Sequence, residues 1–218
     1  MRPTPIAWLA IALAVAVGLG IAAGCGGDDD KKKASAGTQP AAEKPGAAPD
    51  YAGAVATPPK AAPPLELADS TGKRYDISKR RGRVVLVTWL YVNCPDVCPL
   101  IASNLKVAKT KLGDKGEKLD IVAVSTDPKR DTPKAVNKFL AARGVTGLMR
   151  YLVGSRASLG TTWKNWGIVA EPAAANPELI EHSSPIYGVS ASGKITTLYP
   201  ANFKPDQIVH DVPLLARQ

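Results

Sequence analysis

The feature that most constrains this 218-residue chain is a nine-residue, almost wholly apolar and β-branched run, Arg83–Tyr91 (RVVLVTWLY), which passes within two residues into Cys94-Pro95-Asp96-Val97-Cys98-Pro99. Such a run, without polar alternation, suits a strand buried on both faces. A strand of that kind needs helices above and below its sheet. Beyond the cysteines, Leu100, Ile101, Leu105, Ala108 and Leu112 recur at helical spacing and Gly113 closes the pattern. The two cysteines are therefore expected where a central strand hands over to a helix.

The rest of the chain repeats this alternation. Leu65–Asp69, a turn, and Tyr75-Asp76-Ile77 read as a short strand pair. Leu119–Ser125 is a second buried strand, and Asp131-Thr132-Pro133 supplies capping oxygens and a first-turn proline for a helix ending near Gly144. Met149–Val153 predicts a third strand and Ser155–Trp166 a helix, followed by an irregular stretch from Val169 to Pro177. Ile186–Ser190 and Ile195–Tyr199 form a hairpin around Ala191-Ser192-Gly193-Lys194, and a last helix starts at Lys204-Pro205-Asp206 and ends near Ala216. Strands alternating with helices and then a closing hairpin predict an α/β fold with a central mixed sheet flanked by helices. With cysteines at the strand-to-helix junction, the specific architecture expected is thioredoxin-like. Pro185, directly before the hairpin, is expected to follow a cis peptide bond facing the cysteines.

Ahead of this domain the composition changes. Arg2 precedes an uncharged stretch, Ile6 to Ala23, and then Gly24-Cys25. A short positive region, an apolar core and small residues at its end make an export signal. A cysteine directly after Ala22-Ala23-Gly24 is the pattern of a bacterial lipoprotein processing site. Cleavage before Cys25, once its thiol carries a diacylglycerol, leaves two acyl chains for stable anchoring. The same stretch can alternatively cross the membrane as an uncleaved N-terminal helix. Both alternatives put the remainder on the extracytoplasmic face of a bacterial cytoplasmic membrane. Nine of the 19 prolines lie before residue 65, and residues 26–60 hold little but Ala, Pro, Gly and charge. The expected organisation is a signal and anchor over 1–25, a disordered tether over 26–60 and a folded domain over 61–218.

The formal charge is +9, yet the basic residues are scattered, and their densest folded-region cluster, Lys79–Arg83, reads as a solvated turn before a strand. No nucleic-acid partner is expected from that distribution. The charge favours an acidic protein partner or anionic lipid headgroups.

With Cys25 assigned to the anchor, Cys94 and Cys98 remain, four residues apart. A disulfide across one helical turn closes a small loop and stabilises little. A helix N-terminus favours thiolates, and the proline after each cysteine limits backbone motion. Two functions fit. One is a thiol–disulfide oxidoreductase with Cys94 as nucleophile and Cys98 resolving. The other is metal binding: one helical turn spaces the β-carbons about 5–6 Å apart, wide for a relaxed disulfide and suited to a bridged metal. Soft thiolates select Cu(I) or zinc, and Cu(I) is satisfied by two or three ligands. A peroxiredoxin-type peroxidase is excluded, because Tyr91 stands where that chemistry needs a threonine. Of the two histidines, His210 lies in the last helix beside Asp211 and reads as a surface residue. His182 lies in a polar stretch just before Pro185, on the cysteine side of the fold, and is the candidate third ligand.

Three motifs in this order, Cys94-Pro95-Asp96-Val97-Cys98-Pro99, Asp127-Pro128-Lys129-Arg130-Asp131-Thr132-Pro133 and His182-Ser183, resemble the Sco (SenC) copper chaperones of cytochrome c oxidase assembly over residues 63–215. The resemblance implies that Cys94, Cys98 and His182 bind copper, as Cu(I) or Cu(II), received from an upstream donor. It also implies that the acceptor is the dinuclear copper site of cytochrome c oxidase subunit II, and that the chain is a metallochaperone before it is an enzyme. Ile180-Glu181 stands where the family often has valine-aspartate. The alternative function is reduction of the oxidase cysteines by the same thiols. Asp127 is a candidate to orient His182 or to satisfy a turn, and Asp131 and Thr132 are expected to cap a helix. Asp96 is expected to modulate the cysteines' charge without ligating. Trp89, Trp163 and Trp166 are expected in the core.

Overall fold

A computed structural model of the chain describes residues 49–218. The expected export signal, Cys25 and the tether as far as residue 48 lie outside the described residues. Among those described, no helix is long and apolar enough to cross a membrane.

In chain order the elements are β1 (Ala54–Ala61), β2 (Glu66–Asp69), β3 (Arg74–Asp76), β4 (Val84–Leu90), α1 (Val97–Leu112), β5 (Leu119–Ser125) and α2 (Pro133–Arg143). They continue with β6 (Met149–Val153), α3 (Arg156–Trp166), β7 (Ala170–Pro172), β8 (Ile180–His182), β9 (Ile186–Val189), β10 (Lys194–Tyr199) and α4 (Pro205–Leu215). Eight strands form one mixed sheet in the order β1-β10-β9-β4-β5-β6-β2-β3, while β7 and β8 pair in a small sheet of their own. β4, β5 and β6 run parallel, and β9 joins β4 antiparallel. This is the thioredoxin-like arrangement expected from the sequence.

Every residue of β4 is buried, and its alternation divides the core. Val84, Leu86 and Leu90 face α1, α2 and α4, against Ile101, Leu105, Val136, Phe139 and Ile208. Val85, Val87 and Trp89 face α3 and the β2–β3 pair, against Leu159, Trp163, Trp166 and Tyr75. Each full burial of an aliphatic side chain contributes roughly 1.5–3 kcal/mol. A strand sealed on both faces this way is a rigid base for whatever its C-terminal end carries. The three tryptophans are core residues, as expected, with Trp89 and Trp166 stacked at a tilt, ring centroids 5.8 Å apart.

The folded region starts before residue 61. β1 occupies Ala54–Ala61 and pairs antiparallel with β10, Val55 opposite Thr197 and Ala61 opposite Lys194. Just upstream, the amides of Ala52 and Gly53 donate to the buried carboxylate of Asp211 at 2.8 and 2.9 Å. The physical reason is that an edge strand joins a sheet through its backbone and tolerates exposed, proline-containing sequence. Its side chains are mostly exposed, so its composition resembles a tether while its amides do a strand's pairing.

Two local expectations are also corrected. Ser184–Pro185 is trans; the cis bond among the described residues is Thr57–Pro58. The trans form is the default for an X-Pro bond unless a tight turn demands otherwise, and here β8 pairs with β7 and delivers the chain to β9 without such a turn. The stretch after α3 is less irregular than expected, because β7 and β8 form a hairpin arm carrying His182 at its end.

Candidate metal and thiol site

Both candidate cysteines are free thiols and both are buried. Cys94 sits in the loop after β4, and Cys98 lies in the first turn of α1. Asp96 occupies the N-cap position but its side chain caps nothing. The sulfur of Cys94 takes over part of that role, accepting the Cys98 amide at 3.4 Å. A helix start leaves such N–H groups without intrahelical partners, so they are available to stabilise a thiolate. The Cys94 thiol is lowered to about 6, first by the hydrogen bond from the Cys98 thiol and then by the Asp96 and Cys98 amides and the Tyr91 hydroxyl. Burial opposes this and loses. Cys98 is pushed far up, because it donates to Cys94 and is itself buried beside that charge. The pair is thus one thiolate and one thiol that supports it.

His182 ends β8. Its Nδ1 lies 3.0 Å from the Ser183 carbonyl and 3.3 Å from the Ser184 hydroxyl. A carbonyl only accepts, so the hydrogen-bond network assigns the proton to Nδ1 and leaves the Nε2 lone pair free. Burial lowers the ring's pKa, which keeps it neutral at pH 7 and able to ligate. The imidazole stands edge-on to Tyr91, centroids 5.6 Å apart. Tyr91 also anchors the cysteine loop, its carbonyl accepting the Cys94 amide at 3.3 Å. The three candidate ligands are therefore grouped around Tyr91. Among the described residues, however, no three His, Cys, Asp or Glu side chains converge at metal-binding spacing. The donor set, two sulfurs and one neutral imidazole, suits a soft metal ion.

Of the other motif residues, Thr132 and His210 fall where expected and Asp131 does not. Thr132 caps α2, accepting from the Ala135 amide. Asp131 caps nothing: it is buried, and its carboxylate accepts from the Val92 amide at 2.9 Å, the Ser125 hydroxyl at 2.6 Å and the Tyr151 hydroxyl at 2.9 Å. Burial raises it to about 6 against those hydrogen bonds. Asp127 does not touch His182 in the hydrogen-bond pattern; it holds the Arg130 guanidinium, which reaches Glu178 on the β7–β8 arm at 2.7 Å. His210 is half exposed and pairs with Asp211 at 2.7 Å. Sequence reasoning missed Tyr91 as the shared neighbour of Cys94 and His182, and Asp131 as the anchor beneath their loop. The signal for Tyr91 was its place as the last residue of the buried run; Asp131 carried none beyond its motif.

The SCO1/SenC family model matches residues 54–217. The SCO1 protein homolog of Bacillus subtilis is 27% identical over 156 residues, spanning 68% of this chain and 79% of that protein. The apo Sco1 solution structure from Thermus thermophilus is 26% identical with a TM-score of 0.67, over 76% of this chain and 97% of that one. The copper-bound crystal structure of Arabidopsis thaliana ScoI has a TM-score of 0.63 at 24% identity, over 71% of this chain and 97% of that one. Shorter matches to relatives from Stutzerimonas stutzeri and Rickettsia prowazekii span 52% and 38% of those proteins.

Proposed function

The chain belongs to the SCO1/SenC family, and from that premise we propose that it is a copper chaperone for cytochrome c oxidase assembly, with Cys94, Cys98 and His182 as ligands. The observation that carries this is the arrangement of the donors: the Cys94 sulfur accepts the Cys98 amide at the start of α1, the Tyr91 carbonyl accepts the Cys94 amide, and the His182 imidazole, with Nδ1 engaged and Nε2 free, stands edge-on to the Tyr91 ring. Copper is the cargo. The Arabidopsis relative is a protein with copper bound, and thiolate with imidazole is the donor chemistry that Cu(I) prefers. The acceptor in this reading is the dinuclear copper site of oxidase subunit II. The chain works from the outer face of the cytoplasmic membrane, held by Cys25 or by an N-terminal helix. Cys94, already ionised, is the first ligand; Cys98 gives up its proton as it joins. Release proceeds by exchange, an acceptor thiolate replacing His182 first because that ligand sits on the separate β7–β8 arm.

The depressed thiol of Cys94 beside a protonated Cys98 also favours the second function, thiol–disulfide exchange with the oxidase cysteines. His182 separates the two. The test is an anaerobic Cu(I) titration of the reduced full chain in detergent beside Cys94→Ala, Cys98→Ala and His182→Ala. One copper bound per chain, lost or greatly weakened in all three variants, is the expected result. Binding indifferent to His182, or no tight binding, overturns the chaperone function in favour of the reductase.

A further inference from the structure

The segment Asp127–Asp131 has no part in the ligand set, yet its side chains reach both halves of the site. Asp131 takes the Val92 amide at 2.9 Å, two residues before Cys94, and ties it to β5 and β6 through Ser125 and Tyr151. Arg130 extends the other way. Its guanidinium is held by Asp127, whose side chain is 3% exposed, and it bonds the Glu178 carboxylate at 2.7 Å and the Pro177 carbonyl at 3.5 Å. Glu178 and Pro177 lie four and five residues before His182, on the arm that carries it.

One other polar tie joins the arm to the cysteine loop, the Ile180 amide donating to the Tyr91 hydroxyl. β7 and β8 pair only with each other in a separate sheet. Ile180 packs against the core, and Arg156 meets Glu171 at 3.4 Å with both side chains largely exposed. Between the arm and the strand ends lies a cleft of about 510 Å³, lined by Thr126, Pro128, Gly154, Pro172, Pro177 and Ile180. An arm that spans a cleft takes its position from its anchors. Arg130, 15% exposed against 58% for Arg156, is the more buried of the two.

We infer that Asp127–Asp131 is a bracket that sets how His182 meets the thiols: Arg130 is the positioning residue for the arm, and Asp131 is the positioning residue for the cysteine loop. This rests on the copper-chaperone function for its ligand role, but the mechanical tie exists without copper. The Arg130 contact holds the arm over the site, and an arm released from Arg130 samples a wider range before His182 can join the cysteines.

The experiment has an apo arm and a copper arm. Glu178→Ala removes only the exposed end of the tie and keeps the Asp127–Arg130 pair, so the fold is spared; Arg130→Ala and Arg130→Lys accompany it. In the apo full chain in detergent, hydrogen exchange of the arm amides, Ala173 and His182 among them, is expected to speed up several-fold in Glu178→Ala and more in Arg130→Ala. Amides of β4 and β5 should be unchanged. In the Cu(I) titration, Glu178→Ala should weaken binding roughly 1.5- to 5-fold, the range of an exposed ion pair. The same substitution in a His182→Ala background should have no further effect, because Arg130 acts through His182. Unchanged arm exchange, or equal weakening with and without His182, overturns the bracket. Absence of copper binding by the unsubstituted chain overturns the chaperone function instead, and the exchange data then decide the mechanical tie alone.

Discussion

Removing the Cys98 thiol should make Cys94 a weaker acid, and the size of the effect follows from what surrounds its sulfur. The Cys94 pKa is lowered to about 6, with the Cys98 thiol as the largest contributor and the Asp96 and Cys98 amides and the Tyr91 hydroxyl behind it. At pH 7 a thiol of pKa about 6 is roughly 90% ionised, whereas an ordinary cysteine near 8.5 is roughly 3% ionised. The assay is alkylation by iodoacetamide across pH 4–10, with each cysteine read by peptide mass spectrometry. Unsubstituted protein should give a Cys94 rate profile with its midpoint about 6 and almost no reaction at Cys98, which is fully buried. Cys98→Ala should move the Cys94 midpoint up toward the ordinary range while the amide hydrogen bonds keep it from arriving there. Tyr91→Phe should move it up by less. A midpoint of 8 or above in the unsubstituted protein would refute the reasoning, as would alkylation of Cys98 ahead of Cys94. The sign for stability follows. Because the folded value lies below the unfolded one, Cys94 adds stability that is present above the unfolded pKa and lost as pH falls to about 6.

Asp131 works in the opposite sense: its raised pKa, about 6, means its contribution is full below about pH 4 and lost as pH rises through 6. Asp131→Asn should therefore lessen the decline in urea midpoint over that window relative to unsubstituted protein. Asp131→Ala leaves the Val92 amide and two hydroxyls without their acceptor and should cost about 2–4 kcal/mol by urea denaturation; an effect under about 1 kcal/mol would contradict the buried hydrogen bonds. A chain beginning at residue 61 should have a lower urea midpoint than one beginning at residue 49, because it lacks β1 and the two amides that Asp211 accepts. Equal midpoints would show that β1 contributes nothing. Gly188→Ala would set a methyl 2.0 Å from the Thr197 hydroxyl and 3.2 Å from Leu215, and should lower stability by about 1–3 kcal/mol, read as a drop in Tm.

What the sequence made legible was whatever rests on burial periodicity or on capping chemistry. β5 and β6 fall on the expected residues, and α2 begins behind Thr132 and ends at Gly144 in the left-handed conformation that glycine adopts freely. The cysteine pair at the strand-to-helix junction was visible for the same reason: the buried run before it and the helical spacing after it leave one place for the turn. β1 was not legible, because an edge strand joins through amides that every residue but proline carries, and its side chains have no core to fill. β7 and β8 were hidden by their length, three residues each, too short for a period of two to declare itself. Asp131 shows a third kind of limit. An aspartate before Thr-Pro has the local chemistry of a helix cap, and nothing within four residues distinguishes a cap from a carboxylate turned inward. Its partners Val92, Ser125 and Tyr151 are 39, 6 and 20 residues away. They meet only because β4, β5 and β6 are adjacent parallel strands whose C-terminal ends open on the same side of the sheet. The cysteine loop follows β4 and the Asp127–Asp131 segment follows β5, so the sheet's strand order lets one segment brace the cysteines and, through Arg130, the arm that carries His182.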